Sequence, residues 1–216
     1  MKYKAVIFDL DGTLLNTIDD LANSVNSVLE KSGFPVYSAE EIKHFIGTGF
    51  YNLIRLALPE ESRDDSTIKK LVEMLREEYN TRWNQYTHPY EGIPELLDEL
   101  TKRNVKKAVL SNKADSFTKI IIAQLLPKWH FEVVWGERPD VPKKPDPTAA
   151  LEIADIFNIS PDEIILLGDS SYDIQTAVSA GMFAAGALWG FRSADELKSA
   201  GADALIEKPL DLLKLL

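Results

Sequence analysis

The chain has 216 residues, 45% of them hydrophobic, a size that suits one mid-sized domain or one domain carrying a smaller insertion. Lysine and arginine total 24 against 34 aspartates and glutamates, and the resulting net charge of −10 disfavours DNA backbone or an anionic membrane as a partner. There are no cysteines, which excludes disulfides and thiolate metal sites, and no apolar run approaches the roughly 20 residues that a membrane-spanning helix needs.

Met1-Lys2-Tyr3-Lys4 leads directly into Ala5-Val6-Ile7-Phe8, a run too short for a signal peptide and without a small-residue cleavage site, so a cytoplasmic location is expected. Residues 3–8 read as a buried strand that ends in Asp9, Asp11 and Gly12. Ile18, Leu21, Ala22, Val25, Val28 and Leu29 then recur at helical spacing, and Gly33 and Pro35 end that helix. Ser38-Ala39-Glu40-Glu41 has the form of a capping box. Gly47-Thr48-Gly49 predicts a turn, 50–58 a helix stopped by Pro59, and 67–83 a longer amphipathic helix. The segment from about 17 to 85 is therefore helical by pattern.

Beyond Tyr90 the rhythm changes. A helix over 93–103 leads to a strand over 107–110 that ends at Ser111-Asn112. A helix over 114–125 precedes a strand over 131–135; a helix over 147–157 precedes a strand over 164–167, which runs into Gly168-Asp169. A helix over 171–180, a strand over 183–187, a helix over 194–200, a strand over 204–206 and a last helix from Pro209 complete the chain. Continuous apolar strands alternating with helices predict an α/β fold, a doubly wound parallel sheet with a Rossmann-like core. The expected core spans 1–15 and 87–216, and 16–86 forms an inserted helical cap.

Four predicted strands lead into polar groups: Asp9 and Asp11; Ser111 and Asn112; Lys144-Pro145-Asp146-Pro147; and Asp169 through Asp173. Ligands of open α/β sheets bind outside the carboxyl ends of the strands, where strand order reverses. Asp9, Asp11 and Asp169 supply the oxygen-rich set that a hard cation such as Mg²⁺ prefers. Gly12 permits a tight turn beside a ligand. Ser111 offers a hydroxyl to an anion, and Lys144 a point charge. A metal and a lysine around one transferring group is the pattern of phosphoryl transfer. Each piece has a plain alternative. Asp-Gly after a strand is a common turn pair, Ser111-Asn112 can cap a helix, and a lone lysine is usually solvated. Their conjunction at matching strand ends is hard to attribute to packing. His44, His88 and His130 have no metal-ligand spacing, and Gly47-Thr48-Gly49 follows no strand and so is no dinucleotide fingerprint.

Taken together, Asp9-Leu10-Asp11-Gly12-Thr13-Leu14, Leu110-Ser111-Asn112, Lys144-Pro145-Asp146-Pro147 and Gly168-Asp169 through Asp173 resemble the four ordered motifs of the haloacid dehalogenase superfamily of phosphohydrolases. Within it the chain is most similar to phosphoglycolate phosphatases, through Ile46-Gly47-Thr48-Gly49, Ser111-Asn112-Lys113 and Trp189-Gly190-Phe191. Asn16-Thr17 and Trp135-Gly136-Glu137 depart from the pattern without removing a catalytic group. The resemblance implies Asp9 as nucleophile and Asp11 as acid and base, with Mg²⁺ held by Asp9, the Asp11 carbonyl and Asp169. It implies phosphate contacts from Ser111 and Lys144, with Asn112 and the Gly12 backbone assisting, and supporting roles for Asp173 and Thr13. Asp11 argues against dehalogenation, since the dehalogenases lack a second aspartate there.

Thr48, Gly49, Phe50 and Arg55 in the cap are candidates for substrate choice, and Lys113 for meeting a substrate carboxylate from the core side. The expected partner is a small phosphorylated metabolite, 2-phosphoglycolate first, with neither nucleic acid nor membrane involved and the chain a monomer or homodimer. Alternatives are action on pyrophosphate, a sugar phosphate or a nucleotide, a β-phosphoglucomutase-like transfer, or non-catalytic binding of a phosphometabolite.

Overall fold

A computed structural model describes residues 2–216. In chain order the elements are β1 (Ala5–Phe8), the short β2 (Leu15–Asn16), α1 (Ile18–Lys31), α2 (Ala39–Lys43), α3 (Phe50–Ala57), α4 (Asp65–Asn80) and the short β3 (His88–Pro89). Then follow α5 (Ile93–Lys102), β4 (Lys106–Ala114), α6 (Asp115–Leu125), β5 (Val133–Glu137), α7 (Thr148–Phe157), β6 (Ile164–Gly168), α8 (Ser171–Ala180), β7 (Phe183–Ala187), α9 (Ala194–Ser199) and β8 (Ala204–Ile206). The chain forms two compact units: the described residues through Leu15 with Pro89–Leu216, and Asn16–His88.

The first unit is built on a six-stranded sheet in the order β5-β4-β1-β6-β7-β8, all of its pairings parallel. β1 lies inside it with every residue buried, as an apolar run covered on both faces requires. Its side chains alternate. Ala5 and Ile7 join Ala150, Ile153 and Phe157 of α7 and Ile174 and Ala177 of α8 in one cluster, so Val6 and Phe8 face the other side. The doubly wound α/β sheet is therefore the fold.

Several element ends shift by two or three residues from the sequence reading, among them α4, β5 and β1, and two differences are larger in consequence. β4 continues past Leu110 to Ala114, with its register to β5 shifting between those residues. Polar Ser111, Asn112 and Lys113 read as the end of a strand, yet all three are buried because partners inside the protein replace water. The last segment, Pro209–Lys214, is a 3₁₀ turn rather than an α-helix.

In the second unit α1 packs on α4 and α2, and α3 on α4, burying Leu21, Val25, Leu29, Leu53, Ile54, Leu71 and Leu75. Ser38 closes its capping box with Glu41, and Asp64 caps α4 by accepting from Thr67 N at 3.0 Å. Asp20 is 1% exposed and accepts from Thr87 N at 2.8 Å, Thr87 Oγ1 at 2.7 Å and Tyr86 N at 3.0 Å. A buried carboxylate with this many donors ties the returning chain to the first turn of α1. Among the described residues no helix is long and apolar enough to cross a membrane.

Candidate active site

The sheet register delivers the chemistry to one edge. Phe8 lies level with Val109 of β4 and Leu167 of β6, so Asp9, Leu110 and Gly168 begin the carboxyl edge together. Strand order reverses at β1, with β4 and β5 on one side and β6 to β8 on the other, which opens the crevice there.

Lys144 is the hub. Its Nζ donates to Asp9 Oδ1 at 2.7 Å, Asp173 Oδ1 at 2.6 Å and the Leu110 carbonyl at 2.8 Å. An ammonium has three protons, and all three are committed. Its backbone is fixed by Asn112, whose Oδ1 accepts from Lys144 N at 2.9 Å and whose Nδ2 donates to Lys144 O at 3.0 Å. Asn112 thus serves the lysine's loop, a use that the assignment of phosphate binding does not include. Asp173 Oδ2 accepts from Ser170 N at 3.0 Å and Ser170 Oγ at 2.6 Å, so both of its oxygens are engaged. Asp169 accepts from Thr13 Oγ1 at 3.0 Å and from Phe191 N at 2.7 Å.

The Asp11 carboxylate has a lysine partner of its own. Its two oxygens accept from Lys113 Nζ at 2.9 and 3.1 Å. Ser111 Oγ is buried and accepts from Lys113 N at 3.2 Å. Gly12 has φ +89°, and a side chain there would fall on Asp169; its N–H donates to Leu15 O at 2.9 Å and closes the loop.

Oxygens of Asp9, Asp169 and Asp173 lie within 4.8 Å of one another. Burial pushes the Asp9 carboxyl up to about 8; Lys144 pulls it down, and Asp173 and Asp169 push it up further. Burial, and then Asp173, push Asp169 up to about 7, against the Phe191 and Thr13 hydrogen bonds. Burial disfavours the Lys144 ammonium, but Asp173 and Asp9 outweigh it and hold the group above its ordinary range. Ionised together, three carboxylates against one ammonium would leave two uncompensated negative charges, which a divalent cation would balance. An all-oxygen donor set suits a hard cation. Asp9 keeps Oδ2 clear of Lys144 and Asp169 meets only neutral donors, whereas Asp173 is held by the Lys144 ammonium on one oxygen and by Ser170 on the other, so Asp9 and Asp169 are the better placed ligands.

Trp189, Phe191 and Tyr90 receive no role from sequence, yet all three bear on this edge. Trp189 Nε1 donates to Thr13 O at 2.9 Å, Phe191 N holds Asp169, and a side chain at Gly190 would overlap Asp169. β7 belongs to the same parallel sheet, and its trailing loop at the same edge was the available signal. The half-buried Tyr90 hydroxyl is pushed up by burial and by the charges of Asp169 and Asp11. The remaining candidates belong to the helical unit. Thr48 Oγ1 accepts from Asn52 Nδ2 at 2.6 Å, and Arg55 Nε donates to Asn52 Oδ1 at 2.9 Å. Gly49 has φ +87° just before α3, and Phe50 lies edge-on to Tyr79 at 5.7 Å.

The sequence matches the profile of the haloacid dehalogenase-like hydrolases over residues 6–187. The phosphoglycolate phosphatase of Aquifex aeolicus is 32% identical over 213 residues, covering 99% of this chain and 96% of that protein. The phosphoglycolate phosphatase of Nitrosospira multiformis is 30% identical, covering 99% and 95%. A crystal structure of a Lactobacillus delbrueckii protein superposes with a TM-score of 0.93 at 30% identity, covering 100% of this chain and 98% of that one. One of a predicted phosphoglycolate phosphatase from Haemophilus somnus gives 0.91 at 25%, with the same coverage. With the profile spanning most of the chain and the fold agreeing end to end, the protein belongs to the haloacid dehalogenase-like hydrolase family.

Proposed function

We propose that the chain is a Mg²⁺-dependent phosphomonoesterase that acts through an aspartyl-phosphate on a small phosphorylated metabolite, with 2-phosphoglycolate its first candidate. The observation that carries this reading is Asp9 at the end of β1, bonded to Lys144 and within reach of Asp169. The substrate follows the names of the relatives at 30% identity and above.

Asp9, Asp169 and the Asp11 carbonyl hold the metal, which supplies positive charge to the phosphoryl group. Asp9 Oδ2, the oxygen not bonded to Lys144, attacks phosphorus; its bond forms as the ester P–O bond breaks. Asp11 gives its carboxyl proton to the departing alkoxide, then takes a proton from the water that attacks the aspartyl-phosphate and regenerates Asp9. Lys144 orients Asp9 and carries compensating charge. Ser111 donates to a phosphoryl oxygen once its hydroxyl proton turns outward. Asp173 positions Lys144, and Thr13 positions Asp169.

The test is p-nitrophenyl phosphate hydrolysis with Mg²⁺, with EDTA, and in Asp9→Asn. Turnover that needs Mg²⁺ and falls by about 10³-fold or more in the variant is expected. Turnover by Asp9→Asn at the wild-type rate would overturn the nucleophile. Phosphoglycolate set against pyrophosphate, sugar phosphates and nucleotides then fixes the substrate.

A further inference from the structure

We propose that Lys113 determines specificity by reading a carboxylate on the carbon next to the phosphate ester, exchanging Asp11 for that carboxylate when substrate binds. The inference rests on the phosphatase reading above and deepens it. Lysines 107, 113 and 144 are the buried lysines among the described residues. Lys107 stands at the start of β4, where its Nζ points back to the Val105 carbonyl at 3.4 Å. Lys144 has all its protons engaged. The Lys113 side chain is 2% exposed, and its ammonium meets Asp11 rather than water. The surrounding backbone holds it there. Thr118 Oγ1 donates to the Lys113 carbonyl at 3.4 Å, and Gly136 packs so close to that carbonyl that a side chain at 136 would overlap it.

Distances then select a substrate class. An acid that protonates the ester oxygen sits about 3 Å from it. The Lys113 ammonium is within 3.1 Å of both oxygens of that acid. It therefore lies within about 6 Å of the ester oxygen. A carboxylate attached to the ester carbon places its oxygens about 3 to 4 Å from the ester oxygen, which leaves one hydrogen-bond length to Lys113. An α-phosphoryloxy carboxylate can thus engage Asp11 and Lys113 at once, whereas a neutral alkyl phosphate leaves Lys113 on Asp11. The smallest member of this class is 2-phosphoglycolate.

The test compares 2-phosphoglycolate with 2-hydroxyethyl phosphate, in which an alcohol replaces the carboxylate, on wild type and Lys113→Met with Mg²⁺. The readout is the ratio of the two kcat/KM values, which is independent of the folded fraction. Wild type is expected to favour phosphoglycolate at least tenfold, and in Lys113→Met the ratio should collapse by roughly 10- to 100-fold, mainly through KM. Equal losses on both esters would make Lys113 only a support for Asp11 and overturn the proposal. So would an unchanged ratio, or a wild type without the preference, which needs no variant to detect. A wild type that hydrolyses neither of these esters nor p-nitrophenyl phosphate would remove the phosphatase reading itself, and this inference with it.

Discussion

The ammonium of Lys144 joins the nucleophile candidate to Asp173, and Asn112 joins that lysine's backbone to β4. The two should therefore behave as one unit. Asn112→Ala is expected to lower kcat by about 10- to 100-fold. In a Lys144→Met background the same substitution should add little, because the group it positions is already gone. Additive losses would show that Asn112 acts on the phosphate directly. Asp9, Asp11 and Asp169 were legible in sequence because they stand where apolar runs stop, and the sheet register brings the ends of β1 and β6 level; Lys144, in the loop seven residues beyond β5, was legible only as part of Lys144-Pro145-Asp146-Pro147. The pairing of Lys113 with Asp11 was not legible, since a lysine three residues past the strand's apparent end at Leu110 reads as a group that could meet a substrate carboxylate, with nothing local to mark a partner in the protein. Only the continued burial of β4 turns it inward.

Elements carry their own constraints. The loop after β7 presses on Asp169 through Gly190 and Phe191 N. Gly190→Ala should keep the far-ultraviolet circular dichroism of the wild type but weaken Mg²⁺ binding by about tenfold in titration calorimetry. Unchanged affinity would show that the loop yields without moving Asp169. In the helical unit Asp20→Ala strands the Tyr86 and Thr87 N–H groups and is expected to cost about 2–4 kcal/mol in denaturant unfolding. Periodicity made the helices of both units readable, to within a few residues at their ends. The Asp20 contact spans 67 residues of sequence, and no local pattern announces it.

At the scale of the whole molecule, the acidic site links stability to pH. Asp9 and Asp169 are pushed up to about 8 and about 7 in the folded protein, whereas an unfolded aspartate titrates near about 3.9. Between these values the folded state holds protons that the unfolded state has lost. The stabilising contribution is complete below about pH 4 and is lost as pH rises through about 7 to 8. With EDTA, Tm should fall across that range; with saturating Mg²⁺ the fall should flatten, because a bound cation keeps both carboxylates ionised. Equal slopes in EDTA and Mg²⁺ would contradict a metal on these two aspartates. The net charge of −10 gave no hint of where cations would gather, because it sums every charge in the chain without regard to position.

The most direct measurement is to quench the enzyme during turnover with Mg²⁺ and substrate, reduce it with borohydride, and map the peptides by mass spectrometry. An acyl phosphate on Asp9 would be reduced to homoserine at position 9, only in samples given both substrate and Mg²⁺ and never in Asp9→Asn. Sustained turnover with unmodified aspartate at position 9, or homoserine at another aspartate, would contradict Asp9 as the nucleophile.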